Sequence, residues 1–145
     1  MSFQEVKREN IKRYMLEKIR LDDMEYVQKT MYNFQISVTT VKRYIRECLE
    51  HQIIIEDSKT ECGYRLQMQE YYFQYSMKDD FDEDGVYYMD IAPLLRDVSS
   101  EARRIWRYVF MEMMNNAIEH SGCENIYCRV VKDLLYTEIS ITDDG

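Results

Sequence analysis

One proline and four glycines in 145 residues leave little material for collagen-like, linker-like or turn-rich all-β architecture. No stretch approaches the ~18 consecutive apolar residues of a membrane-spanning helix. The N-terminal MSFQEVKREN has no apolar signal region, so secretion is not expected. Cysteines stand at 48, 62, 123 and 128, with no CxxC pair and no His/Cys cluster at zinc-ligand spacing. In a chain without a signal peptide they read as reduced thiols, which points to the cytoplasm. What is present is 46% hydrophobic and 32% charged, the composition of a folded chain rather than a disordered one. The length suits one mid-sized domain or two small ones with a real core.

Charge is distributed unevenly. Residues 1–69 carry 12 basic and 11 acidic side chains, whereas residues 70–145 carry 7 basic and 16 acidic, so the net of −8 divides into +1 and −9. Such a step points to two units with different partners.

In the first half, Val6, Ile11, Met15 and Ile19 recur near helical spacing and predict a helix from Phe3 to Leu21. Asp22 and Asp23 interrupt it and are expected to cap a second helix, about Met24 to Phe34. Ser37 is a good cap for a third, running to about His51 with Val41, Ile45 and Leu49 as its core stripe. Ile53-Ile54-Ile55, a polar turn from Glu56 to Gly63, and Tyr64 to Met68 predict a β-hairpin.

Three helices and a hairpin, with SVTTVKRYIREC at the third helix, an apolar strand at 53–55 and GYRL closing the hairpin, resemble a winged helix-turn-helix domain of the DeoR type over residues 5–69. That resemblance implies DNA binding through the third helix. A helix enters the major groove only if its outward face is free of bulky apolar groups. Turning Val41, Ile45 and Leu49 inward leaves Ser37, Thr39, Thr40, Lys42, Arg43 and Arg46 as the candidate DNA-binding residues. Arginine reads guanine edges bidentately, while lysine and threonine mostly hold phosphates. A solvated helix face and a protein-docking winged helix remain alternatives, because a net of +1 is a weak electrostatic footprint for nucleic acid.

Residues 70–85 read as an acidic and aromatic linker or a first strand, with Asp79 to Gly85 as an exposed loop of mutually repelling carboxylates. No EF-hand spacing supports a metal there. Tyr71, Tyr72, Tyr75, Tyr87 and Tyr88 are expected to pack in strands or between domains rather than to stack on bases.

Ser99-Ser100-Glu101 opens a long helix that is expected to reach His120 and stop at Ser121-Gly122. Ala102, Ile105, Trp106, Val109, Phe110, Met113, Met114 and Ala117 would form its apolar face. On a wheel of ~100° per residue, Glu112 and Asn116 fall within ~20° of Ile105, at the edge of that face. Polar groups in that position are either satisfied in a core or line a pocket. Two alternating strands follow, at about 124–131 and 135–142.

EMMNNAIEHS resembles the N-box of the GHKL ATP-binding superfamily, which takes in histidine kinases, type II topoisomerases, MutL-type ATPases and anti-sigma-factor serine kinases. Asp143-Asp144-Gly145 resembles the opening of that superfamily's first glycine box. The resemblance implies ATP and Mg2+ as cofactors. Asn116 would hold the magnesium that bridges the phosphates, a role suited to a neutral oxygen ligand, and Glu112 would be the general base. Asp143 would accept from the adenine amino group and Gly145 would let the backbone approach the base. Asn115 and His120 would line the phosphate side. The expected fold is α+β, a winged helix followed by residues 86–145 as the first part of a GHKL α/β sandwich.

The match stops at Gly145, before the ATP lid and second glycine box, so this chain alone is expected to bind ATP poorly and not turn it over. The resulting expectation is a cytoplasmic bacterial regulator in which a nucleotide alters DNA binding. The rivals are an anti-sigma-like kinase or ATPase whose winged helix docks a protein, and a non-catalytic interaction module; any of the three could act as a homodimer.

Overall fold

In the computed structural model, which describes residues 2–79, 82–120 and 122–145 (His120 by its backbone alone), the chain is α+β and divides into two units. Unit 1 is Met1–Gln69 with Lys132–Thr137; unit 2 is Glu70–Val131 with Glu138–Gly145.

Unit 1 begins with a reciprocal cap. The Ser2 hydroxyl accepts the Glu5 N–H, and the Glu5 carboxylate accepts the Ser2 N–H at 2.9 Å. Helix α1 (Phe3–Arg20) buries Ile11, Met15, Leu16 and Ile19. Val6, expected in that stripe, is 43% exposed, because the first turns of α1 run past the core. Leu16 takes its place.

Helix α2 (Tyr26–Phe34) starts two residues later than the capping pattern suggested, and Glu25 at its cap position makes no side-chain cap bond. Asp22 acts elsewhere, whereas Asp23 does serve the start of α2. Asp22, left-handed at φ 55°, accepts the backbone N–H groups of Glu61 and Cys62 at 3.0 and 2.9 Å. Asp23 accepts the Glu25 N–H at 2.9 Å and pairs with Lys29 at 2.6 Å.

Helix α3 (Val38–Glu50) is capped by Ser37 as expected, but its buried stripe is Val41, Tyr44, Ile45 and Cys48, with Leu49 only half-buried. Strands β1 (Ile54–Glu56) and β2 (Tyr64–Leu66) form an antiparallel hairpin pairing Ile54 with Leu66 and Glu56 with Tyr64. Each strand is shorter than or offset from its expected span by a residue or two. Gly63 sits at φ 87° in the turn, a conformation that side chains with a Cβ rarely adopt.

Residues 132–137 complete this unit. Asp133 accepts the N–H groups of Leu135 and Tyr136 at 2.8 Å, and its other carboxylate oxygen accepts from Arg20 Nε at 3.2 Å. The Arg20 guanidinium lies 4.0 Å from the Tyr136 ring centroid, and Leu135 packs on the core.

Unit 2 is one three-stranded sheet, ordered β3 (Gln69–Ser76), β4 (Asn125–Lys132), β5 (Thr137–Asp143), with helices on one face. Of the two openings considered for residues 70–85, the strand is present. The acidic stretch does not stay a loop. Asp82 accepts the Gly85 N–H at 2.6 Å and caps α4 (Glu83–Val86), followed by a π turn (Tyr87–Ile91) and a 3-10 turn (Ala92–Leu95). Asp80 and Phe81, also in that stretch, lie outside the described residues. Val86, Tyr87, Ile91 and Leu95 are buried, which is why this segment winds up instead of remaining solvated. Tyr87 and Tyr88 are therefore helical, not in a strand.

Helix α5 (Ser100–His120) is capped by the Ser99 hydroxyl, which accepts the Ala102 N–H at 3.2 Å. It buries Phe110, Met114 and Ala117 against Ile126, Cys128 and Val130 of β4. Ser121, the expected stop, lies outside the described residues; Gly122 is left-handed at φ 62°. The Asp133 N–H to Tyr136 C=O bond and the Asp144 N–H to Asn125 C=O bond share one register. That register pairs Val130 with Ile139, Cys128 with Ile141, Arg129 with Ser140 and Tyr127 with Thr142. No helix among the described residues is long and apolar enough to cross a membrane.

Several carboxylates are held below their ordinary range by these bonds. Asp144 is lowered mainly by the Asn125 N–H, Asp22 by the N–H groups of Glu61 and Cys62, and Glu47 by Lys12 at 2.7 Å. A group whose folded pKa is depressed stabilises the fold above its unfolded pKa and loses that contribution as pH falls through the folded one. The thermal midpoint is therefore expected to hold near neutrality and to drop below about pH 4. An Asp22→Asn, Asp144→Asn double variant, scanned in the same buffers, should show a shallower acid limb. An unchanged limb would contradict the assignment.

Candidate functional site

Three places carry the residues singled out from the sequence. The first is the outward face of α3. Burying Val41, Tyr44, Ile45 and Cys48 rotates Thr39, Lys42, Arg43 and Arg46 into solvent. Arg43 lies over the edge of this face, its guanidinium 5.4 Å from the Tyr44 ring centroid. Ser37 and Thr40 are less free. The Ser37 hydroxyl accepts the Thr40 N–H at 3.2 Å and shares a 3.1 Å hydrogen bond with the Thr40 hydroxyl, and Thr40 is half-buried. These two hold the helix start; the four exposed residues form a polar, cationic surface with no bulky apolar side chain among them.

The second surface is on α5. Glu112 and Asn116, one turn apart, are both exposed, and Asn115 is half-buried. They do continue the strip of Ile105, but that strip faces solvent: Ile105 is 58% exposed and Tyr108 68%, and Val109 lies with them. The expected apolar face was placed too far round the helix, because the sheet takes the Phe110, Met114 and Ala117 side. Glu112 and Asn116 are thus surface groups, neither satisfied in a core nor enclosed. The His120 side chain lies outside the described residues.

At the end of β5, Asp143 is exposed and its Oδ1 accepts the Gly145 N–H at 3.1 Å. Its neighbour is the structural residue. Asp144 accepts the N–H groups of Glu124 and Asn125 at 2.8 and 3.0 Å and the Asn125 side-chain amide at 3.0 Å, tying the last strand to the start of β4. Among the described residues, no group of three or more His, Cys, Asp and Glu side chains is arranged to hold a metal ion. A magnesium held by the Asn116 amide oxygen and nucleotide phosphates needs no such group, so the donor chemistry fits. The carboxylate of Asp143 likewise suits an amino-group donor.

Two features were not anticipated. Tyr75 donates its hydroxyl proton to Asp90 at 2.6 Å, fastening β3 to the π turn, and burial followed by that carboxylate pushes its pKa well up. The aromatic-acid pair is 15 residues apart in the chain and gives no local pattern. On the outer face of the sheet, a cavity of about 470 Å3 is lined by Tyr72, Gln74, Tyr127, Arg129, Ser140 and Thr142, none of them in the nucleotide set. Arg129 is held there by Glu70 at 3.2 Å and the Tyr72 hydroxyl at 3.3 Å.

No protein-family model, no curated protein and no solved structure matches this chain.

Proposed function

We propose that this protein is a cytoplasmic, DNA-binding regulator in which unit 1 contacts DNA as a winged helix-turn-helix and unit 2 responds to a nucleotide. The observation that carries the reading is the two-sided character of α3. One side is packed by Val41, Tyr44, Ile45 and Cys48, and the other presents Thr39, Lys42, Arg43 and Arg46 beyond a Ser37 cap, with Val38 and Glu50 exposed at the two ends of the helix. That is the surface a major groove requires. Lys42 contacts phosphate and Arg43 and Arg46 reach base edges or phosphate.

In unit 2, Asn116 would hold magnesium on ATP, Glu112 would act as base, and Asp143 would accept from adenine, with Asn115 and His120 beside the phosphates. Bound ATP with its metal would supply a transferable γ-phosphoryl group. With Glu112 and Asn116 open to water, competition from solvent keeps nucleotide affinity low, and the 145-residue chain is expected to show no measurable hydrolysis. A protein-docking role for unit 2 is the second reading, favoured by the exposed Ile105, Tyr108 and Val109.

Selection of a bound sequence from random duplexes, followed by titration across salt, tests the DNA reading. The logarithm of affinity should fall linearly with the logarithm of salt. Arg43→Ala and Arg46→Ala should each weaken binding by about 1–3 kcal/mol where the side chain reads a base. Both residues are exposed, so circular dichroism should be unchanged. No salt-sensitive binding even at about 50 mM salt would sink the reading.

A further inference from the structure

Strand β5 is an edge. Its neighbour on one side is β4, and among the described residues nothing pairs with the other side. The register set by the two bonds at the ends of the β4–β5 ladder fixes which backbone groups are used. The N–H and C=O groups of Glu138, Ser140 and Thr142 turn toward β4, and those of Thr137, Ile139, Ile141 and Asp143 turn outward. Edges of this kind are usually blunted by lysine, proline or a bulge. TEISITD has neither lysine nor proline. Its inward side chains, Ile139 and Ile141, are only half-buried, whereas Ile126, Cys128 and Val130 beside them on β4 are fully buried.

We propose that this edge pairs antiparallel with the β5 edge of a second copy of the chain, about a two-fold axis at Ser140. The register follows from complementarity. Centred on Ser140, Ile139 faces Ile141 of the other copy, and Thr137 faces its Asp143. All four outward-turned residues then exchange hydrogen bonds. Glu138 stands opposite Thr142 of the other copy, so no like charges meet across the seam. Sliding one strand by one residue puts the axis between residues and sets outward-turned groups against inward-turned ones, and sliding it by two, which moves the axis to Ile139 or Ile141, leaves part of the edge without a strand partner. The half-buried isoleucines of both copies lie on the same face of the resulting continuous sheet and cover one another. The partner is thus a second copy, joined by a closed, isologous contact.

Sedimentation equilibrium of the 145-residue chain, from micromolar to millimolar concentration, should show a monomer of 17.7 kDa in exchange with a dimer and nothing larger. At a two-fold centre every substitution meets itself. Ser140→Glu and Ser140→Lys should each weaken the dimer about fivefold or more, and an equimolar mixture of the two should restore it. Thr142→Lys, which sets lysine opposite Glu138 of the other copy, should tighten it about two- to tenfold, and keeps the test alive if a Ser140 variant fails to fold. A monomer at every concentration, a ladder beyond the dimer, or Ser140 variants that associate as the parent does would each overturn the proposal. DNA and nucleotide are absent from the measurement, so its outcome is independent of the regulatory reading.

Discussion

Truncating Phe110 to alanine is expected to remove about 3–5 kcal/mol from unit 2, the largest single effect in that half. The ring is 1% exposed, packs in the core with Met114, Ile126 and Val130, and lies 5.7 Å from the ring of Tyr87 at a 50° tilt. Alanine loses the transfer energy of the ring and leaves a cavity that the sheet cannot collapse to fill. The segment above it cannot compensate. Residues 83–95 are three short helical pieces, well below the ~12–15 residues at which an isolated helix persists, and they exist because Tyr87, Ile91 and Leu95 are buried. A unit of roughly 70 residues has a net stability of roughly 3.5–10 kcal/mol, so this one change takes about a third of it at the least. The measurement is convenient, since Trp106, the only tryptophan, lies in the same helix. Its fluorescence in urea should report a midpoint sharply lowered or already passed in buffer. An unshifted midpoint would mean that α5 does not pack on the sheet through this ring.

In unit 1 the corresponding change is Leu16→Ala, with an expected cost of about 2–5 kcal/mol. Leu16 is 1% exposed and stands next to Met15 and one turn before Ile19 on the face of α1 that meets α2, α3 and the hairpin core. Its effect on DNA should differ in kind from that of Arg43→Ala. Loss of Leu16 lowers the folded fraction, so binding weakens while the salt slope of the molecules that remain folded is unchanged. Loss of Arg43 leaves the melt alone and alters affinity, and, where it neutralises a phosphate, lowers the slope by about 1. Far-ultraviolet circular dichroism melts read beside the salt titration separate the two. A Leu16 variant with a parental melt would mean that α1 is not part of the core.

The helices of unit 1 and their order with the hairpin were legible because a 3.6-residue period and a Ser37 cap are local signals. Their exact faces were less so. Val6 fits the α1 period yet lies beyond the core, and period alone does not say where packing begins. Tyr44 and Cys48 joined the α3 stripe because two adjacent rows can face inward, a choice made by neighbours rather than by spacing. In unit 2, the five carboxylates from Asp79 to Gly85 concealed a helical start whose cause, burial of Tyr87, Ile91 and Leu95, comes from residues far away in the chain. The same holds for Asp22, which serves a turn 39 and 40 residues downstream instead of the adjacent helix. Among the candidate nucleotide residues, the one-turn spacing of Glu112 and Asn116 was readable. Which way their strip faces depended on the sheet.

The membership of residues 132–137 in unit 1 has a bearing on synthesis. Leu135, Asp133 and Tyr136 supply a core contact, an ion pair for Arg20 and a ring beneath it, and they leave the ribosome more than sixty residues after Gln69. At about 5–20 residues per second, the helical unit waits roughly 3–12 s for its last piece. During that interval the Leu135 site stays uncovered. A nascent chain arrested at residue 69 should be cleaved by a protease faster than one arrested well past residue 137, although both hold every helix of the unit.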